Sequence, residues 1–433
     1  MLRWNQRMLT ILLRIKKKGG SRRVRRRVAM RNVYFDHAAT TPVHPKVAEA
    51  MYLYLTEQYG NPSSFHAPGR TVRRAVEEAR EKVASAIHAR PDEITFTSGG
   101  TEAANMAILG AARANRSKGN HIITSAVEHN ASLDPCKALE REGFQLTVLP
   151  VDRYGMVDVE QVREAITGQT ILISVIHAQN EVGTIQPVEA IGALARERGI
   201  LFHSDAAQSV GRLPVDVTKM GVDLLSFSAH KFNGPKGVGG MYLRKGVRWQ
   251  RLMYGGHQET RRRAGTENVP GIVGMAVALE LALADMEKRT VFLAGLRDRL
   301  IQGVLSSIPK SILTGHPTMR LPNLASFCFE YVEGESILLS LDGKKISVSS
   351  GSACTSRLLE PSHVLLAMGL APEIAQSSIR VSLGLGNTEE DVDYFLRELP
   401  PIIERLRAMS PLFGCEDDKC LEGEDCFTCT AKK

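Results

Sequence analysis

The sequence predicts an α/β layer fold on a mostly parallel sheet, and three observations carry that prediction. Short β-branched runs alternate with helical segments along most of the 433 residues. One such run, Ile94 to Thr97, feeds a tight turn, Ser98-Gly99-Gly100-Thr101-Glu102, that opens a helix. The composition, 43% hydrophobic and 24% charged, is that of an ordinary globular chain long enough to bury a sizeable core.

Taken in order, the first structured segment is Asn32 to Asp36, and a helical pattern runs from Pro68 to Ala86. After Ile94 to Thr97, strands are expected at His121 to Ser125, Gln145 to Leu149, Ile171 to Ile176, Leu201 to Ser204, Leu224 to Phe227 and Gly239 to Leu243, making seven. A helix at Val188 to Arg198 lies among them. Near residue 260 the pattern changes. Glu267 to Glu287 reads as one long apolar helix leading into a smaller α+β unit with strands at Ala325 to Phe329, Ile346 to Ser349 and Ile379 to Ser382. Thr388 to Met409 reads as its closing helix. The expected division is a large domain over residues 30–265 and a small one over 266–413, with residues 30–45 packing on the latter.

Both ends are compositionally separate. Residues 1–29 carry eleven Lys or Arg and no acid; without them, 44 basic residues face 47 acidic ones, so the body is near −3 despite the chain's +8. Nucleic-acid binding by the body therefore has no support. The head is expected to be a disordered extension: a start-site artefact ahead of Met30, a targeting peptide, or a basic arm. No run of about 18 or more apolar residues occurs, so no membrane span is expected. Cys136, Cys328 and Cys354 are scattered, which fits a reducing compartment. The expected location is the cytoplasm, or the mitochondrion if residues 1–29 target it. After Gly414 the chain is acidic, with Cys415, Cys420, Cys426 and Cys429 close together. That spacing is compatible with zinc or an iron–sulfur cluster but matches no standard finger; an acidic tail with incidental thiols is the alternative.

Six places in the sequence carry the chemistry. Lys231 ends Ser228-Ala229-His230-Lys231, after an apolar run and before the glycine-rich 233–237 turn. An amine held there, away from bulk water, can condense with an aldehyde cofactor, and pyridoxal 5′-phosphate is the obvious one. Asp205 follows Leu201-Phe202-His203-Ser204, where a carboxylate can hold a pyridinium nitrogen or merely cap the next helix. The Ser98-to-Glu102 turn offers backbone N–H groups to a phosphate, or is a glycine turn with Thr101 as N-cap. Arg380 sits inside a strand pattern, where a guanidinium clamps a substrate carboxylate or joins a buried ion pair, and Asn180 stands at another strand end. Cys354, in Ser349-Ser350-Gly351-Ser352-Ala353-Cys354-Thr355-Ser356, is the best nucleophile in the body, whereas Cys136 and Cys328 read as structural.

These segments, with Asp36-His37-Ala38-Ala39-Thr40-Thr41, Tyr59-Gly60-Asn61-Pro62-Ser63-Ser64, Glu128-His129 and Asp205-Ala206-Ala207-Gln208, resemble in one order the pyridoxal-phosphate-dependent cysteine desulfurases of the NifS/IscS type. The resemblance runs from about Val33 to Pro411. It implies fold type I of the pyridoxal-phosphate-dependent transferases and a homodimer acting on L-cysteine. It further implies that Lys231 holds the cofactor and abstracts the substrate Cα proton, that Asp205 meets the ring nitrogen and Gln208 the ring hydroxyl, and that His129 stacks on the ring. Gly100, Thr101, Ser228 and His230 would hold the phosphate, with Thr266 from the other subunit, and Asn180 and Arg380 the substrate carboxylate. Cys354 would take the sulfur as a persulfide, pass it to an iron–sulfur scaffold or another acceptor such as a tRNA-thiolation protein, and could ligate a cluster transiently. The alternatives are a selenocysteine or cystine lyase, and a non-catalytic sulfur carrier.

Overall fold

The computed structural model describes residues 31–350, 360–411 and 413. Its centre is a seven-stranded sheet made of β2 (Ile94–Thr97), β3 (His121–Ser125), β4 (Gln145–Leu149), β5 (Thr170–Ser174), β6 (Leu201–Asp205), β7 (Leu224–Ser228) and β8 (Gly239–Leu243). The strand order is β2-β8-β7-β6-β5-β3-β4, and only β8 runs antiparallel to its neighbours. All seven expected strands are therefore present. β2, β3, β5, β7 and β8 are buried along their whole length, as expected of strands covered on both faces.

Helices α1 (Pro45–Thr56), α2 (Ala67–Ala86), α3 (Gly100–Asn115), α4 (Asn130–Arg141), α5 (Val159–Ala165) and α6 (Val188–Arg198) supply that cover. In α2 the buried residues Val72, Val76, Ala79 and Val83 recur at three- and four-residue intervals, so one stripe faces the core. Helix α6 ends where Gly199 turns left-handed at φ 65°, leaving its last carbonyls bonded to the Gly199 N–H.

The long apolar helix expected from Glu267 to Glu287 is corrected. It is α7 (Val269–Ala284), which stops at Asp285 and meets α8 (Met286–Ser307) at a 73° bend. Asp285, at φ −120° and ψ 19°, leaves the helical region and breaks the run. Helix α7 is apolar because it is buried among core residues; α8 buries only Leu293, Leu296, Arg297, Leu300 and Val304. No single helix among the described residues is long and apolar enough to cross a membrane.

A second, antiparallel sheet follows, with order β12 (Ile379–Ser382), β10 (Leu324–Phe329), β9 (Ser311–Thr314). Its own apolar core joins α8, α9 (Gly334–Asp342) and α12 (Glu389–Met409) to Phe327, Phe329 and Val381. Val33 and Phe35 belong to that core, and β1 (Val33–Tyr34) pairs in parallel with β11 (Ile346–Ser347). Two short helices, α10 (His363–Ala367) and α11 (Pro372–Gln376), complete the described chain.

Candidate active site

Strands β2, β3, β5, β6 and β7 point the same way, so their C-terminal ends share one edge of the sheet, where open α/β folds bind ligands. Along it stand the Ser98–Glu102 turn after β2, His129 after β3, Asn180 beyond β5, Asp205 closing β6, and Ser228, His230 and Lys231 at the end of β7. Arg380 reaches the same edge from β12. The sequence had placed each of these at the end of a strand or inside one, and the fold brings them together.

Lys231 lies in a 3-10 turn, and its Nζ donates to the carbonyls of Ala38 (2.6 Å) and Ala39 (2.9 Å). The same Ala38 carbonyl accepts from Gln208 Nε2 at 2.9 Å. Gln208 Oε1 is bonded by Arg212, whose other nitrogen donates to the His37 carbonyl at 2.8 Å. Gln208, expected to meet a ring hydroxyl, thus has both ends of its amide engaged within the chain.

Asp205 is buried, and one carboxylate oxygen accepts from the Ala207 N–H at 2.9 Å, a local turn and not the helix cap considered above. Burial pushes its pKa up, while the charges of His129 and Lys231 draw it back. His129 caps α4: its Nδ1 accepts from Ala131 N at 3.0 Å, so in the neutral ring Nε2 carries the hydrogen. His230 shares a hydrogen bond of 3.2 Å with the Thr40 hydroxyl. Burial and the nearby Lys231, Lys236 and Arg212 lower its pKa to about 4, so it is neutral at pH 7.

Thr101 is not an N-cap. Helix α3 starts at Gly100 behind Gly99, and no side chain caps it, so its first N–H groups look for acceptors outside the helix. The turn is packed tightly: a Cβ on Gly239 of β8 would fall 2.6 Å from the Phe227 carbonyl oxygen and 2.7 Å from the Gly99 Cα. Ser98 N donates to Glu102 at 2.6 Å, and Arg263 holds Glu102 at 2.9 Å. Thr266 is exposed, lining a cavity of about 130 Å³ beside Ser98.

Arg380 is buried, and the ion-pair alternative is realised. Its Nη2 forms an ion pair with Asp36 at 3.0 Å, and Nη1 donates to the Asn180 carbonyl at 3.0 Å. Its Nε and the Asn180 side-chain oxygen, both buried, have no partner among the described residues, which marks a place for a polar ligand.

Two buried acids escaped the sequence reading. Glu128 accepts from the Ser125 hydroxyl (2.6 Å) and Ile176 N (2.8 Å), tying the ends of β3 and β5, and burial raises its pKa to about 8. Glu181 accepts from the Ser362 hydroxyl at 2.5 Å, and burial raises it to about 7. Nothing in the sequence separates either from a surface glutamate. Cys136 and Cys328 are buried with pKa values pushed up to about 12, as structural thiols are. Cys354 and the four tail cysteines lie outside the described residues; among those described, no group of three or more potential ligands could hold a metal.

The Aminotransferase class-V family model matches residues 33–395. The chain belongs to that family. Within it the relatives are narrower. The cysteine desulfurase IscS of Methanosarcina thermophila is 56% identical over 380 residues, covering 88% of this chain and 94% of that protein. The IscS of Dictyoglomus turgidum is 55% identical over 381 residues, with 88% and 97% covered. Among solved structures, a NifS-like protein aligns with TM-score 0.82 at 40% identity, over 87% of this chain and all of that one. Another, described as SspA in complex with cysteine, aligns at 0.72 and 36%, over 81% and 98%. The resemblance to the NifS/IscS-type desulfurases and the fold-type-I architecture are thus borne out.

This class-V family member is a pyridoxal-phosphate-dependent enzyme. Its residues fit that cofactor: an amine for the aldehyde, a buried carboxylate one strand away for the ring nitrogen, and an uncapped helix start for the phosphate.

Proposed function

We infer that the protein is a cysteine desulfurase, converting L-cysteine to L-alanine and carrying the sulfur away as a persulfide on Cys354. The observation that carries this reading is the pairing of Lys231 and Asp205 at adjacent strand ends, with the Arg380 Nε donor beside them unsatisfied among the described residues. Relatives named cysteine desulfurase and a structural neighbour described in complex with cysteine support the substrate.

When bound, pyridoxal phosphate supplies the electron sink that makes the substrate Cα–H acidic and exposes its sulfur to attack. Lys231 Nζ would hold the aldehyde, and its amine is placed to take the substrate Cα proton. Asp205 would pair with the protonated ring nitrogen and His129 would stack on the ring face, while Gln208 would reach the ring hydroxyl on releasing Ala38 or Arg212. Gly100, Thr101, Ser228 and His230 would hold the phosphate, with Thr266 of a second subunit in a homodimer. Arg380 and Asn180 clamp the substrate carboxylate. The Cys354 thiolate then attacks the substrate sulfur. An S–S bond forms as the Cβ–S bond breaks, the electron pair left on carbon takes up a proton to give the methyl group, and Lys231 returns a proton to Cα to complete alanine. The persulfide passes to an acceptor thiol in the cytoplasm, with an iron–sulfur scaffold as the expected acceptor.

The test follows alanine and sulfide together in the purified holoenzyme with L-cysteine and a reductant. Equal amounts from the wild type, and neither from Cys354→Ala with its cofactor absorbance intact, are expected. Undiminished alanine formation by Cys354→Ala would assign the enzyme to the lyases instead.

A further inference from the structure

Where α7 bends into α8 lies a cavity of about 460 Å³ that the chemistry above does not use. Residues of both helices, Asp285 at the elbow, residues 211–212 and the stretch 383–386 enclose it. Lys231 stands on its wall, but Asp205, His129, Asn180 and Arg380 do not. Its size is that of a small-molecule site.

Two kinds of surface meet there. Phe232, Leu281, Leu293 and Leu383 give an apolar wall. Arg212, Lys288 and Arg289 give positive charge, and Asp285 is the only acid lining the cavity among the described residues. Both arginines are half-buried and held by neutral oxygens. Arg212 donates to Gln208 Oε1 and, at 2.8 Å, to the His37 carbonyl. Arg289 donates to the carbonyls of Gly211, at 3.1 Å, and Ala282. Neither forms an ion pair among the described residues. Burial, with Arg289 and Arg380 as like-charged neighbours, draws the Arg212 pKa down to about 10. Two guanidiniums that repel each other and lack an anion are a cost that a shared anion removes. Another group on the wall is unmet. Asn323 Nδ2 donates to the Leu383 carbonyl at 2.9 Å, while Oδ1, in a residue 2% exposed, has no partner among the described residues. That oxygen accepts, so what it lacks is a hydroxyl or an N–H.

We propose that this cavity is a second ligand site, taking a small amphipathic carboxylate that bears a hydroxyl or N–H donor, with its acid group on Arg212 and Arg289 and its body on the apolar wall. The site is wired to the chemistry. Arg212 holds Gln208, and Gln208 shares the Ala38 carbonyl with Lys231 Nζ. An acid that draws on Arg212 therefore changes the hydrogen bonds around the lysine from outside the substrate pocket. None of this depends on the substrate being L-cysteine.

The probe is L-3-phenyllactate, which has a carboxylate, a hydroxyl beside it and an apolar ring. Titration calorimetry on the holoenzyme is expected to show binding in about the millimolar range or tighter, with the uncharged amide of the same acid about tenfold weaker or more. Arg289→Met is expected to weaken the acid about tenfold. Lys288→Glu, at an exposed position, is expected to weaken it about threefold with the thermal midpoint unchanged. Arg380→Lys is expected to bind the acid within about twofold of the wild type. A loss there equal to that in Arg289→Met would put the acid in the substrate pocket and overturn the site. Failure of the wild type to bind the acid, or variants at 288 and 289 that bind as it does, would overturn it too. The cofactor absorbance is expected to move with the same half-saturation as the heat; absorbance that stays fixed while the acid binds would overturn the link to Lys231.

Discussion

Glu128 is a carboxyl with nowhere to put a charge. One oxygen is bonded by Ser125 and Ile176, the other has no partner among the described residues, and burial above all, with the nearby Asp205, opposes ionisation. Its pKa, raised from 4.5 to about 8, makes the sign of its effect definite. Between those values the unfolded chain releases the proton and the folded protein keeps it, so this residue lowers stability as pH rises through that window. Glu128→Gln removes the titration and keeps the hydrogen-bond shape. Its stability relative to wild type is expected to rise by about 2–3 kcal/mol between pH 6 and pH 8, at about 1.4 kcal/mol per pH unit. Chemical denaturation of both proteins at the two values checks this; a difference independent of pH would mean that Glu128 is ionised in the fold. The residue also shows where sequence reasoning stops. Lys231, Asp205 and Arg380 were legible because each follows or interrupts an apolar strand run, where a charge needs a reason. Glu128 and Glu181 follow such runs too, but at a distance that the turn geometry alone converts into burial.

At the scale of elements, the segment after β8 is held in a conformation it would not choose. Glu259, Thr260 and Arg261 all have left-handed backbones, with φ of 45°, 54° and 66°. Each costs a non-glycine residue about 1–2 kcal/mol. What opposes this is a buried clamp. Arg80 of α2 donates to both oxygens of Glu259 at 2.8 and 2.9 Å, and Phe96 N of β2 donates to the same carboxylate at 2.8 Å. The clamp fixes the root of the stretch that leads to Thr266, and ties it to β2, the strand before the Ser98–Glu102 turn. Removing one partner strands a buried charge, so Glu259→Gln is expected to cost about 3–5 kcal/mol. The double variant Arg80→Met with Glu259→Met is expected to lose less than the two single changes summed, which urea midpoints would report. Additive losses would show that the pair contributes nothing as a pair. The elbow between α7 and α8 is the counterpart error in reading. A continuous apolar run looked like one helix ending at Glu287, and α8 was missed altogether because its buried positions, Leu293, Leu296, Leu300 and Val304, are separated by charges. Period was visible there at three and four residues; the apolar density of α7 masked it.

For the molecule as a whole, Tyr52 and Leu55 of α1, with Tyr59 and Phe65 beyond it, leave large apolar side chains in water at 62–86% exposure. Exposed aromatic groups so close along the chain mark an association surface. The proposed homodimer is expected to use it: light scattering on the full-length protein should give twice the 47.5 kDa chain mass, and Phe65→Glu should shift it toward one chain. An unchanged mass in that variant would place the dimer contact elsewhere. The mostly parallel sheet was readable at this scale because alternating strands and helices leave few other architectures. The pairing of the N-terminal strand with β11 had no local signal in the sequence, since nothing in Val33 and Tyr34 names a partner more than 300 residues away. That attachment sets a timetable. The carbonyls that receive Lys231 belong to residues 38 and 39, yet their segment is fastened through Val33 to Ile346 and through Asp36 to Arg380. At about 5–20 residues per second on the ribosome, roughly tens of seconds separate the first of these from the last. The lysine pocket is therefore among the final things the chain completes, so that vitamin capture falls to the finished polypeptide and not to the growing one.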